Sequence, residues 1–167
     1  MNDLLHNAAE VVKKIQYINI ATVTREGEPW NTPVYTAFDK ELRFFWISAK
    51  ASQHSVNLRN SSRAFVTIYD STVPEGTGFG VYFTGRAMQI RETATTFTAI
   101  KKLYSRVDAP QKHISRFLGK SPRRLYVFVP ERVWVNGWFE SEQMEGVFYD
   151  ERVELDLERL KKKIFEK

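Results

Sequence analysis

The stretch YINIATVTREGEPWNTPVYTAFDKELRFFWIS, Tyr17 to Ser48, decides the fold. It holds three β-prone runs, YINIATVT (Tyr17–Thr24), WNTPVYTAF (Trp30–Phe38) and LRFFWIS (Leu42–Ser48), rich in branched and aromatic residues. Only REGEP and DKE separate them, and connections that short join antiparallel neighbours rather than parallel strands. An antiparallel meander is therefore expected.

Upstream, NDLLHNAAEVVKKI puts Leu4, Leu5, Ala8, Val12 and Ile15 on one helical face, with Asn2 or Asp3 placed to cap it. Downstream, Val56 and Leu58 resume helical spacing, which ends near RNSSR. AFVTIYD (Ala64–Asp70) and VYFTGRAMQI (Val81–Ile90) read as strands on either side of the loop STVPEGTGFG. Gly85, inside the second strand, marks a bulge or the close approach of another group. Residues 92–118 read as helical with an interruption near VDAPQK, and RLYVFVPERVWVN (Arg124–Asn136) reads as two strand segments divided at Pro130. ERVEL suggests a short last strand and DLERLKKKIF a closing helix. The expectation is one domain over residues 1–167, mainly β within the α+β class: a six-stranded antiparallel barrel decorated with helices.

A chain of 167 residues is long enough to bury a core without covalent staples. It contains no cysteine, which excludes disulfides, thiolate metal sites and cysteine nucleophiles. MNDLLHNAAEVVKK does not read as a signal peptide, and no run reaches the length of a membrane span, so a cytoplasmic location without membrane association is expected. The net charge of +5 points only weakly to anionic partners, because Lys161, Lys162 and Lys163 supply much of it from one helix. Aromatic residues at 14% suit a β-rich core, a stacking surface or a subunit interface.

Within FFWISAKASQHSVNL (Phe44–Leu58) the character changes abruptly from apolar to polar. Ser52 precedes the expected short helix and is suited to cap it by accepting a backbone N–H. The other free N–H groups and the positive end of the helix dipole favour an anion there, phosphate above all. Ser48, Lys50, Ser52, Gln53 and His54 are the candidate donors around it. Taken alone, this stretch reads first as an ordinary capped helix with Lys50 and His54 in water, because serine-capped helices are common.

The order of pieces from Gly27 to Asp70 resembles the flavin-binding core of the pyridoxamine 5'-phosphate oxidase-like family, the split-barrel FMN proteins. The matching pieces are Gly27 and Pro29 at a turn, TPVYTA (Thr32–Ala37), Ile47 with Ser48, Ser52-Gln53-His54, and NSSRAFVTI. GVYFTGRA and VWVNG are similar to two later strands of the family, the second containing Trp134. The resemblance implies an FMN-binding split barrel. Thr32, Pro33, Val34 and Tyr35 would run along the flavin with Ile47, and Ser48, Lys50, Ser52, Gln53 and His54 would lie around its phosphate, while Trp134 would stand near the ring edge. It also implies a homodimer with flavin at the subunit interface, acting as an oxidoreductase on a small molecule. No His-Glu spacing points to a metal site, and dispersed basic residues with aromatics inside the strands argue against nucleic acid.

The departures are as informative. Where the oxidase carries a cationic arginine and a substrate-contacting lysine, this chain has Thr32 and Ala37, and Gln53-His54 replaces the phosphate-binding Arg-Lys pair. FYDER only echoes the oxidase's last motif, with Arg152 matching its final arginine. A substrate other than phosphorylated vitamin B6 is expected. His6 and His113 are lone histidines, and haem- and deazaflavin-binding barrels of the same family remain alternatives, as does a small barrel that stacks single-stranded nucleic acid. Tyr35, Thr36 and Tyr82 are possible proton donors, GKSPRRL is a basic turn, and no Ser-His-Asp arrangement or carboxylate pair stands out; no catalytic residue is assigned.

Overall fold

The computed structural model describes residues 2–166. Helix α1 (Asn2–Lys14) buries Leu5, Ala8, Ala9 and Val12 against the sheet. Asn2 and Asp3 lie within its first turn rather than ahead of it, where the Asp3 carboxylate complements the positive helix end. The chain continues through β1 (Tyr17–Val23), β2 (Pro29–Tyr35), β3 (Ala37–Phe38), β4 (Phe44–Ala49), α2 (Gln53–Asn60), β5 (Arg63–Tyr69) and β6 (Gly80–Gln89). Then follow α3 (Thr93–Arg106), a 3-10 turn (Ile114–Phe117), β7 (Arg123–Glu140), β8 (Phe148–Leu155) and α4 (Leu157–Phe165). Asp156 caps α4 by accepting from the Arg159 N–H.

All ladders are antiparallel, in the order β2-β1-β5-β6-β7-β4-β3 with β8 added to β7. The described residues thus form eight strands, not the six expected. One reason lies at Thr36. Its N–H donates to the Gln16 carbonyl and its hydroxyl to the Phe45 carbonyl at 2.9 Å, which breaks the run Trp30–Phe38 into β2, paired back to β1, and β3, paired forward to β4. The other is β8, which is longer than ERVEL suggests.

Pro130 does not divide β7. The strand continues past it through a register shift, with Thr84 opposite Arg132 and Gly85 opposite Pro130, so Glu131 is the extra residue of a bulge. A Cβ on Gly85 would collide with the Val129 carbonyl oxygen, which is the close approach its position signals.

The two ends of the sheet, β2 and β3, are separated in sequence by Thr36 alone, so the sheet curls into a barrel. Among the described residues no ladder joins β2 to β4, and that gap is the split. β4 is buried on both faces: Phe44 and Trp46 enter one cluster with α1 and α4, and Phe45 enters a second cluster with Leu125, Val127 and the α3 residues Ala99, Ile100 and Leu103. Burial on both faces explains why FFWI is continuously apolar instead of alternating. No helix among the described residues is long and apolar enough to cross a membrane.

Candidate functional site

The gap between β2 and β4 opens into a cleft of about 400 Å³ lined by Thr32, Pro33, Val34, Tyr35, Ile47, Ser48, His54, Leu103, Tyr104 and Val107. Consecutive residues line it because it faces strand edges rather than strand faces. The edge of β2 away from β1 has no ladder partner among the described residues, and neither has β4 beyond its short pairing with β3. The cleft therefore presents main-chain donors and acceptors along both sides, as any unpaired strand edge does. Leu103, Tyr104 and Val107 close it from α3 and the residue after it.

The strands are joined at the Thr36–Phe45 hydrogen bond, and α2 spans the other end. A chain of buried and half-buried amides and hydroxyls sets α2 in place. Gln53 Nε2 donates to Asn57 Oδ1 at 2.9 Å, Asn57 Nδ2 donates to Thr22 Oγ1 at 3.0 Å, and the Thr22 hydroxyl donates to the Trp30 carbonyl at 3.4 Å. The first turn of α2 thereby faces the end of β4. Ser48 Oγ lies 2.6 Å from His54 Nε2, and Ser52 Oγ lies 3.2 Å from the same nitrogen.

His54 is only 4% exposed, and burial lowers its pKa from the ordinary 6.5, which keeps the ring neutral near pH 7. Ser52 occupies the N-cap position but its side chain does not cap the helix, contrary to expectation. Its hydroxyl donates instead to the Ala49 carbonyl at 2.8 Å and lies 2.9 Å from Ser55 Oγ. The start of α2 thus keeps its orphan N–H groups without a side-chain cap.

Of the candidate residues, Thr32, Pro33, Val34, Tyr35, Ile47, Ser48 and His54 meet at this cleft. Ser52 joins them through His54. Lys50 sits in the turn ahead of α2, its N–H donating to the Pro122 carbonyl at 2.9 Å, and the Gln53 amide is turned along the helix toward Asn57. Trp134 lies apart from the cleft lining, on β7 opposite Tyr82 and Glu154, with the Arg132 guanidinium over its ring at 4.6 Å.

The Thr36 hydroxyl is spent on Phe45. Tyr82 lies under the Arg152 guanidinium, 3.6 Å from its ring centre. Arg124, from the basic turn, donates to the carbonyls of Gly119, Ser121 and Arg123 and so holds the turn itself together. His113 accepts from the Ser115 N–H as the cap of the 3-10 turn.

Sequence reasoning missed the α3 wall. Leu103 and Tyr104 lie far from the meander in sequence, and the only signal is that Ile100, Leu103, Tyr104 and Val107 share a helical face. The Tyr35 hydroxyl is buried with no hydrogen-bond partner, and burial raises its pKa above the ordinary 10.0.

A sequence model of the pyridoxamine 5'-phosphate oxidase family matches residues 4–137. The chain belongs to the pyridoxamine 5'-phosphate oxidase family. Within reach of this family assignment, a UPF0306 protein of Pasteurella multocida is 36% identical over 85 residues, which are 50% of this chain and 56% of that protein. The match therefore spans little more than half the length of that relative. A heme binding protein from Mycobacterium smegmatis has the same fold, with a TM-score of 0.67 at 17% identity, covering 95% of this chain and 60% of that one. An FAD-binding protein from Mesorhizobium loti superposes with a TM-score of 0.58 at 16% identity, covering 77% of this chain and 91% of that one. Proteins described as binding heme and FAD thus share this antiparallel scaffold.

Proposed function

We propose that this family member binds FMN in the cleft between β2 and β4 and acts as an oxidoreductase on a small molecule. The observation that carries the reading is the pairing of two unpaired strand edges with a hydroxyl–imidazole cluster at an uncapped helix start. A flat heteroaromatic ring with alternating carbonyl and N–H groups fits main-chain edges, with Val34, Ile47, Leu103 and Val107 as apolar walls. A phosphate fits the α2 N-terminus with Ser48, Ser52 and His54. FMN would supply two-electron transfer. The chain's own residues would bind and orient it and exclude water from one of its faces.

No arginine, lysine or carboxylate is among the described residues lining the cleft, so this protomer offers a phosphorylated second reactant no charged partner there. That supports a substrate other than pyridoxamine 5'-phosphate. The cleft is open on one side, and a homodimer with flavin at the subunit interface would close it.

The test is titration of the full chain with FMN, riboflavin and haemin, followed by visible absorbance and flavin fluorescence. Quenched, red-shifted FMN at a stoichiometry of one per chain supports the reading. A Soret band formed with haemin, with no response to either flavin, would replace it with a haem-binding function.

A further inference from the structure

The cleft has a polar end at Ser48 and His54, yet no lysine or arginine is among the described residues lining it. Among the described residues lining it, His54 is the one side chain able to become cationic. Three nearby guanidinium groups are engaged with main-chain carbonyls, Arg59 with Lys50, Arg106 with Lys13 and Ile15, and Arg124 with Gly119, Ser121 and Arg123, while Arg123, opposite Ala49 at the end of β4, is exposed and outside the lining. Lys50 stands in the turn before α2, outside the lining. Tyr35 and Tyr104 are the other titratable groups in the lining.

We infer that His54 is a proton-coupled anchor: it takes up one proton when a phosphate monoester enters beside Ser48 and Ser52, so the site gains its cation together with its ligand. This rests on the flavin reading above, and it assigns the discrimination between a phosphorylated and an unphosphorylated ligand to His54.

The geometry has two halves. Without an anion, a charged imidazole at 4% exposure would be a buried ion with no counter-charge, and burial alone keeps the ring neutral. In that state Nε2 meets the Ser48 and Ser52 hydroxyls at 2.6 and 3.2 Å. An arriving dianion reverses the balance, because an opposite charge within a few ångströms favours the cationic ring. The proton comes from solvent, and no bond to phosphorus forms or breaks. Protonated His54 then donates through a charge-assisted hydrogen bond, and the Ser48 hydroxyl is released from the ring to donate to the same anion, while Ser52 stays on the Ala49 carbonyl. A fixed lysine or arginine would attract any anion at any pH; a histidine that charges only with its ligand does not.

The test is calorimetric titration of the full chain at pH 7.5 in phosphate-free buffers of differing ionisation enthalpy, with FMN and with riboflavin. FMN should bind with uptake approaching one proton per site, and its Kd should weaken about tenfold per pH unit while the free ring is neutral and the bound ring charged. Riboflavin should show neither effect. His54→Gln should bind FMN more weakly, without proton uptake and with a flat pH profile, whereas Lys50→Met should leave the uptake unchanged. FMN binding that is buffer-independent with a flat Kd would overturn the inference and leave the flavin reading standing, as would uptake that survives His54→Gln. Absence of binding by either flavin would remove both.

Discussion

Gly85 packs against the backbone of Val129 at the bulge between β6 and β7, with Phe128 Cζ 2.9 Å and Pro130 Cα 3.0 Å from where a Cβ would stand. Two of the three obstructing groups are main chain and cannot swing aside. Gly85→Ala should therefore destabilise the fold by about 2–3 kcal/mol, at the upper end of the cost of overpacking. Urea denaturation reads it directly. Gly78→Ala, where no atom lies within 4 Å, is the control and should fall within about 0.5 kcal/mol of the parent.

Thr36 fastens β2 and β3 to β4 through its buried hydroxyl. Thr36→Val keeps the shape and removes the donor, leaving the Phe45 carbonyl one partner short. A loss of about 1–2 kcal/mol is expected, from the cost of an unmet buried polar group. If the variant melts with the parent, the seam is held by packing alone.

The orphaned Tyr35 hydroxyl predicts a gain. A buried O–H without a partner costs free energy, so Tyr35→Phe should leave stability unchanged or raise it by up to about 1 kcal/mol. Thermal unfolding of the ligand-free chain checks this. A lower Tm would mean that the hydroxyl has a partner in solution, most simply an ordered water.

His54 predicts an acid sensitivity with a definite sign. Its folded pKa lies below the ordinary 6.5 because burial penalises the cation. Between those two values the unfolded chain holds more protons than the folded one, so folding is favoured fully above pH 6.5 and progressively less below it. The unfolding free energy of the parent should fall more steeply from pH 7.5 to 5.5 than that of His54→Gln. Parallel slopes in the two proteins would show that the ring is not buried neutral.

Much of the scaffold can be read from local chemistry. The two short turns declare antiparallel pairing, Gly85 declares its bulge, and the hydroxyl cluster after FFWI falls where β4 meets α2. What escapes is long-range. Thr36 is β-branched and looks like any strand residue, and only its hydrogen bond to Phe45 reveals that the run changes partners there. Ser52 has the right type and position for a cap, but the Ala49 carbonyl competes for its hydroxyl. The α3 wall is invisible because an amphipathic helix shows that it packs, not what it packs against. Pro130 reads as a break, yet the bulge lets the strand run on without its N–H.

The contiguity of β2 and β3 at opposite ends of the sheet also sets a problem for the newly made chain. The β1–β2, β5–β6 and β7–β8 ladders join strands that follow one another in sequence, but closure requires Asn19 to find Thr67 and Phe44 to find Phe128. Contacts between such distant positions sacrifice loop entropy before they return any stability, and they slow folding relative to a helical chain of the same size. Until β4 meets β7, both strands carry open edges and the aromatic run Phe44–Trp46 is without its cover, which is the condition in which chains of this kind associate wrongly. Because one wall of the cleft is β2, placed through β1 and β5, and the other is β4, placed through β7, a cleft exists only after both encounters have been made.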